Sequence, residues 1–572
     1  MQKRVQIESR KVQTVYLPLA ASSLKIHSKI TSQSQSQTLT QSQHNTIKVN
    51  QKQIKVHNRS LKTRNNIQKE MLSQTDSCTN KVLTERNLEI DSSLIEPQTT
   101  TSIKQFQLVW QSPYRPHIYT IYFPYPQLLQ QTRSQQFLVE QIKKPLYYKL
   151  QGQVPFKCVL SAFEAAGFEK SDEDNWLIYW GLASKETLDE MKQYQKTNHF
   201  PGCWSIGRKD NLWIHLSKVK RRFPNEYSFI PNTYLLKNDF DRFEKIREFA
   251  PKNTFWIKKP VASAKGNGIK LIDKNTKLTA DKRYLVMDYI SNPHLLNNFK
   301  YDLRVYVLIT SIDPLRVYMY KDGLVRFATQ EYSLKSEDIK KRFIHLTNFS
   351  VNKQSPNFIV NNQEMEQQVK ASKWSHKEYK QQLMAQGINH KLLFKSIKDV
   401  VLKTCIAAET LLLKNRITME HKNNYFELFG FDILIDEQLK PWLLEVNVCP
   451  SLNSSSQLDT QIKTKLISDM FHLIGIQYHT KKAFRIQIKK KQYERNINVI
   501  QTINTTNFRQ KVNQEDLDVM IQSLEEQLRL GQFKCLYPNK KNIFEYEKYF
   551  EYPRFHNKLI QKYFEDGSNW II

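Results

Sequence analysis

The sequence predicts a mixed α/β (α+β) fold, on three observations. Strand-length apolar runs recur through its second half, as in 284–290, 300–310, 314–320 and 427–435. Two such runs, 426–435 and 441–447, flank the polar segment 436–440 and read as an antiparallel hairpin, with Pro441 at the tolerated first position of a strand. Between these strands, residues 392–413 repeat apolar side chains at helical spacing. A chain of 572 residues has room for more than one domain and a large buried core.

Residues up to about 105 are rich in Gln, Ser, Thr, Asn and Lys and contain no glycine, which predicts a mostly disordered basic tail. The aromatic and proline-rich stretch 106–150 reads as a linker that docks on the body. Folded character begins near Phe156, with a strand-like aromatic run at 176–180 and a helix ending about Arg222. In 255–269 a strand ends at Lys259, and a small-residue loop carries Lys265, Gly266 and Gly268 into the next strand. Glycine lets backbone N–H groups approach phosphate oxygens, and the lysines supply charge. The spacing is neither a Rossmann fingerprint nor a Walker loop, and a glycine-rich hairpin turn fits it equally well.

Lys300, Asp302 and Arg304 alternate onto one strand face, opposite Tyr301 and Leu303. Such a stripe is a solvated edge or a reader of phosphate and carboxylate, and Arg326 on an adjoining strand adds a second guanidinium. The dipeptide Asp322-Gly323 predicts a hairpin turn between 314–320 and 324–327. A polar loop follows at 345–353, and 451–463 reads as a loop entering the last core helix. Past 478 the chain is strongly basic, then helical over 515–530 with Gly531 as its cap.

The central hairpin carries the chemistry. With Ile435 opposite Pro441, Asp432 lies across from Leu444 or Glu445, and Glu445 and Asn447 share a face. Two carboxylates and an amide oxygen make a hard, all-oxygen site suited to Mg²⁺, and the alternative is strand polars on a solvent face. His199, beside Pro201-Gly202, reads as structural rather than catalytic, and Cys449 as a buried free thiol.

Lys+Arg number 86 against 55 Asp+Glu, a net +31, which calls for an acidic partner: nucleic acid, anionic membrane or acidic protein. The six cysteines are scattered without a C-x-x-C pair, so neither a zinc site nor a disulfide framework is expected, and a reducing compartment is. No stretch has the ~20 apolar residues a membrane span requires, and the N-terminus does not read as a signal peptide. A cytosolic or cytoskeletal protein is expected.

Four motifs in this order, 256–260 (WIKKP), 300–304 (KYDLR), 345–348 (HLTN) and 441–447 (PWLLEVN) with 450–452 (PSL), resemble the tubulin tyrosine ligase-like family over about 176–476. The segments 198–202 (NHFPG) and 206–210 (IGRKD) resemble its polyglutamylase branch. The resemblance implies an ATP-grasp fold: an N-terminal domain at 146–253, a central domain at 254–298 and a C-terminal domain with the metal site at 299–478. It leaves 1–145 as tail and linker and 479–572 as a basic, microtubule-binding extension. The implied reaction is ATP-dependent ligation. A glutamate side chain on an acidic protein tail becomes an acyl phosphate, and the amine of free L-glutamate displaces the phosphate.

By the same resemblance, Asp432, Glu445 and Asn447 hold Mg²⁺, with Glu445 and Arg304 catalytic. Lys259, Lys265, Gly266, Lys300, Tyr301, Asp302, Thr347 and Asn348 contact ATP, and Met287, Asp288, Tyr289 and Ile290 line the adenine site. Arg326, with Ser350 and Lys463, binds the incoming glutamate. The implied partners are tubulin and microtubules, with neither nucleic acid nor membrane, for a monomer in the cytoplasm and cytoskeleton, at a cilium or basal body. Departures from the family pattern are Met287-Asp288, where a Gln and a basic residue are usual, and the mild changes Tyr301, Phe349 and Lys265. A glycylase on the same scaffold and a non-catalytic microtubule-binding protein remain as alternatives, and a nucleic-acid binder explains the charge but not the hairpin.

Overall fold

The computed structural model describes residues 107–116, 118–126, 139–142, 145–151, 156–360, 372–416, 423–478, 501–505 and 508–567. The expected disordered tail and the lysines of 481–491 lie outside them. Strands β1 (Gln107–Gln111), β2 (Tyr119–Ile121) and β3 (Val139–Ile142) form a small antiparallel sheet. Val109, Ile121 and Phe123 are buried in the core, and Ile121 N–H donates to Ile476 O at 2.8 Å. The described part of this stretch is therefore strand structure docked on the body, its aromatic and β-branched side chains buried there.

A parallel sheet follows, built from β4 (Leu146–Leu150), β5 (Phe168–Lys170), β6 (Ile178–Trp180) and β7 (Lys196–Thr197), with α1 (Lys157–Ala165) packed on it. Helix α2 (Lys209–Arg222) leads to a second, antiparallel four-stranded sheet. Its strands are β8 (Thr233–Leu235), β9 (Trp256–Pro260), β10 (Lys270–Ile272) and β11 (Tyr284–Asp288), and Phe243 and Trp256 anchor its own small core.

The dominant sheet is built on β12 (Leu295–Leu296), β13 (Phe299–Ile312), β14 (Leu315–Phe327), β15 (Lys373–Ser375), β16 (Glu427–Ile435) and β17 (Pro441–Val448). Every residue of β16 is buried, as befits a central strand covered on both faces. On one face Phe429, Phe431 and Ile433 pack with Ile397, Val401 and Cys405 of α3 (His390–Arg416). On the other, Leu428, Tyr306 and Leu308 pack with Leu466, Ile467 and Met470 of α4 (Gln457–Ile474). Ser456 caps the start of α4, and Gly475, at φ 64, ends it.

Asp322-Gly323 is not a hairpin turn. Strand β14 runs straight through it, with Tyr301 paired to Phe327 and Ile312 to Leu315, so the connection lies at Asp313-Pro314. Gly323 instead sits at a register shift opposite Val305, where Asp322 Oδ1 accepts from the N–H of Gly323 and of His376. A Cβ there would lie 2.4 Å from Arg304 O and 2.5 Å from the His376 ring, so close approach demands this glycine.

The C-terminal segment is likewise part of the body. Helix α5 (Gln514–Leu528) opens on a capping box from Asn513 and Asp516, and β18 (Phe533–Tyr537) joins the edge of β14. Helix α6 (Phe555–Asp566) buries Leu559 and Ile560 in the main core. The described part of the expected docking extension thus packs on the main core through these side chains. Helix α5 is capped at Arg529, and Gly531, at φ 54, follows two residues later against Asp469.

Candidate active site

Strands β16 and β17 pair with Ile435 opposite Pro441 and, across a bulge, Asp432 opposite Glu445. The short 436–440 connection fixes this register: Asp436 accepts from the N–H groups of Gln438 and Lys440 and from the Trp442 indole. Asn447 projects beside both carboxylates, its Nδ2 being 3.3 Å from Asp432 Oδ2 and 3.4 Å from Glu445 Oε1. Half a turn of that amide presents Oδ1 to a cation, so the donor set fits a hard divalent ion.

The polar row of β13 continues the face formed by Tyr306 and Leu308 beyond the cover of α4. Arg304 grips Asp432 through Nε at 2.6 Å and Nη2 at 3.2 Å. Arg326 grips Asp302, its cross-strand partner, through both Nε and Nη2, and reaches Asp432 Oδ2 at 2.9 Å. Burial opposes the Asp432 charge, but Arg304 and Arg326 outweigh it and hold the carboxyl far below the usual carboxylate range. Glu445 is less enclosed and lies 3.4 Å from Lys209.

These carboxylates close one end of a cleft between the second sheet and the dominant one. Ile257, Met287, Tyr289, Ile290, Leu434 and Leu444 form its apolar end, and Lys259, Lys300, Asp302, Thr347 and Asn348 its polar end. Burial pushes the Lys259 ammonium down to about 8 and the Lys300 ammonium to about 7, against the help of neighbouring carboxylates. Two buried ammonium groups beside an apolar slot fit a polyphosphate with a flat base. Lys300 donates to the Tyr289 hydroxyl at 2.9 Å, and that hydroxyl meets His345 Nδ1 at 3.0 Å. His345 Nε2 lies 3.0 Å from Asp338 O, which sets the tautomer and makes the hydroxyl the donor to Nδ1.

Other expected site residues are placed differently. The Tyr301 ring points into the core, its hydroxyl 2.9 Å from the Tyr379 hydroxyl and from His294 Nδ1, so it does not line the cavity. Lys265, at φ 62, and Gly266, at φ 77, form a loop beside Asn348 without lining the cavity, and Ser350 donates to Lys265 O at 2.6 Å rather than standing with Arg326. Lys463 is buried against Asp459 at 2.9 Å and the Asn453 carbonyl, beside Lys373, which pairs with Arg326 across the strands. Cys449 is exposed, not buried, because the chain leaves β17 there at φ 53. Lys209, His345 and Lys373 carried no role in the sequence reading. Each meets the site through partners more than 20 residues away, so its role does not show locally even where it lies inside a motif, as Lys209 does in IGRKD and His345 in HLTN.

Fold and site together define a mixed α/β protein with a lysine-lined cleft beside a paired-carboxylate hairpin. The chain belongs to the tubulin-tyrosine ligase family, whose pattern residues 186–484 match. It is similar to "Tubulin monoglutamylase TTLL4" of Mus musculus, 37% identical over 431 residues covering 68% of this chain and 35% of that protein. It is also similar to "Tubulin polyglutamylase TTLL5" of Mus musculus, 38% identical over 325 residues, 56% of this chain and 24% of that protein. A "Probable beta-tubulin polyglutamylase" of Tetrahymena thermophila is 34% identical over 405 residues, 68% and 33% of the two chains. The chain thus spans about a third or less of the length of these relatives.

Proposed function

We propose that the protein is an ATP-dependent glutamate ligase acting on the acidic tails of tubulin, in the cytoplasm and at cytoskeletal or ciliary microtubules. The observation that carries this reading is the arginine pair Arg304 and Arg326 set between Asp302, Asp432 and the two-lysine cavity. In this reading the molecule is an ATP-grasp ligase, divided at 146–253, 254–298 and 299–478. Bound Mg-ATP would supply the phosphoryl group that activates an acceptor carboxylate.

The chain's own residues support the rest. Asp432, Glu445 and Asn447 hold the metal, while Lys259, Lys300 and the 264–268 loop hold phosphate oxygens. The backbone of 287–290 lines the base, and the Met287 thioether gives an apolar contact there. Arg304 faces the transferring group and stabilises its charge. Lys373 and Lys463, near Arg326, supply positive charge for the carboxylates of the incoming amino acid. Glutamate is proposed over glycine because the similar proteins are named a monoglutamylase and polyglutamylases.

The test is incubation of purified protein with Mg-ATP, microtubules and labelled glutamate or glycine, followed by mass spectrometry of the tails. Glutamate addition is expected. Glycine addition would make the protein a glycylase, and no addition beside an active control enzyme would overturn the ligase reading.

A further inference from the structure

On the opposite side of the carboxylate hairpin, the fold gathers a second set of metal-type donors. Strand β7 runs on beside the start of β16, with Thr197 N–H donating to Asn424 O at 2.8 Å and Phe426 N–H to Thr197 O at 3.1 Å. This ladder sets His199 next to Glu427, although they are 228 residues apart in sequence. His199 Nδ1 lies 2.9 and 3.0 Å from the two Glu427 oxygens, and Phe200 N–H donates to Oε2 at 3.3 Å. Cys203, four residues after His199, completes the group from the start of a single helical turn, Trp204–Gly207. One ligand atom from each of His199, Cys203 and Glu427 lies within 4.8 Å of the others. Cys203 and Glu427 are 0% and 1% exposed.

We propose that His199, Cys203 and Glu427 form a zinc site, with water in the fourth position. An imidazole, a thiol and a carboxylate offer the nitrogen, sulfur and oxygen donors that zinc accepts, at bond lengths of about 2.0–2.3 Å. Those lengths set ligand atoms roughly 3.2–3.8 Å apart in a tetrahedron, so the cluster closes on an ion by small side-chain movements. The Glu427 carboxylate has acceptor capacity beyond the two donors it meets. On binding, the Cys203 S–H proton and the His199 Nδ1 proton leave to solvent, and Nε2 keeps its proton. Asn198 Nδ2, itself a donor 3.0 Å from Nε2, must turn aside when that nitrogen carries the proton, and the Cys449 sulfur at 3.4 Å takes the hydrogen bond from the ligating ring. Cys449 meets the far ring nitrogen, so it is not a ligand of the same ion.

The site would brace the segment 198–203 against the base of the strand that carries Asp432, apart from the all-oxygen hairpin. Its motif is invisible in sequence, because a His-x-x-x-Cys pair meets its third ligand only through the β7–β16 contact.

The test uses the full chain, purified without chelator, with zinc measured by elemental analysis and the site then probed by cobalt(II) replacement. One zinc per chain and a thiolate-to-cobalt charge-transfer band are expected, unchanged by excess Mg-ATP because the hairpin has no thiol. Cys203→Ser is expected to remove the band and weaken zinc binding about 100-fold or more, whereas Cys449→Ser retains both. Circular dichroism of each variant checks its fold. Absence of zinc from wild-type protein after zinc loading, or a band that survives Cys203→Ser, would overturn the proposal. Loss of the band in Cys449→Ser alone would overturn the ligand assignment.

Discussion

Asp432 and Glu445 face each other across one hairpin but carry different loads. Asp432 is buried and is the shared counter-ion of Arg304 and Arg326, whereas Glu445 is partly open to the cavity and pairs with Lys209. Asp432→Ala leaves two guanidinium groups buried with one carboxylate, and should cost about 3–5 kcal/mol of stability. Glu445→Gln keeps shape and Asn447 contact, so its denaturation midpoint should stay near wild type while glutamate addition falls by about 100-fold or more. Urea denaturation beside a ligation assay checks the contrast; equal stability losses in both variants would contradict it. That Asp432 faces Leu444 or Glu445 was legible in sequence because a short connection pins the register, but the bulge that selects Glu445 was not. The Arg326 grip on two carboxylates was not, since it needs β13, β14 and β16 in their spatial order.

At the level of elements, a local signal lost to a long one. Asp-Gly favours a tight turn, yet β13 and β14 pair along nearly their whole length and keep the chain extended through Gly323. What the glycine provides is space for the Arg304 carbonyl and the His376 ring, and Arg304 is itself a site residue. Gly323→Ala should therefore disturb the β13–β14 pairing at this point and lower stability by about 1–3 kcal/mol. It should also reduce ligation more than its distance from the cavity suggests. Thermal melting and turnover measured on the same preparation test this. A variant with wild-type values in both would show that β14 accommodates the added carbon without moving Arg304. The strands, the long helix and the hairpin were legible from period and length. The edge pairing of β18 on β14 was not, because it joins segments far apart in the chain with no shared pattern.

Across the whole molecule, the C-terminal segment closes the core at the one connection the dipeptide signal misplaced. His556 of α6 lies 3.2 Å from Asp313, in the turn between β13 and β14, and 3.0 Å from Asp516 at the start of α5. Burial pulls the imidazole pKa down, but the neighbouring Asp313 and Asp516 carboxylates outweigh it and raise it to about 9 from 6.5. The folded state therefore binds the proton more tightly than the unfolded chain. The stabilisation is fully present below pH 6.5 and is lost as pH rises through about 9. The rise corresponds to on the order of 3 kcal/mol, since each unit is worth about 1.4 kcal/mol. His556→Gln should then lower the urea midpoint strongly at pH 6 and little at pH 9.5, after allowing for the pH dependence of wild type. A gap that stays constant between the two would mean that the histidine holds the three elements by packing, with its charge contributing nothing.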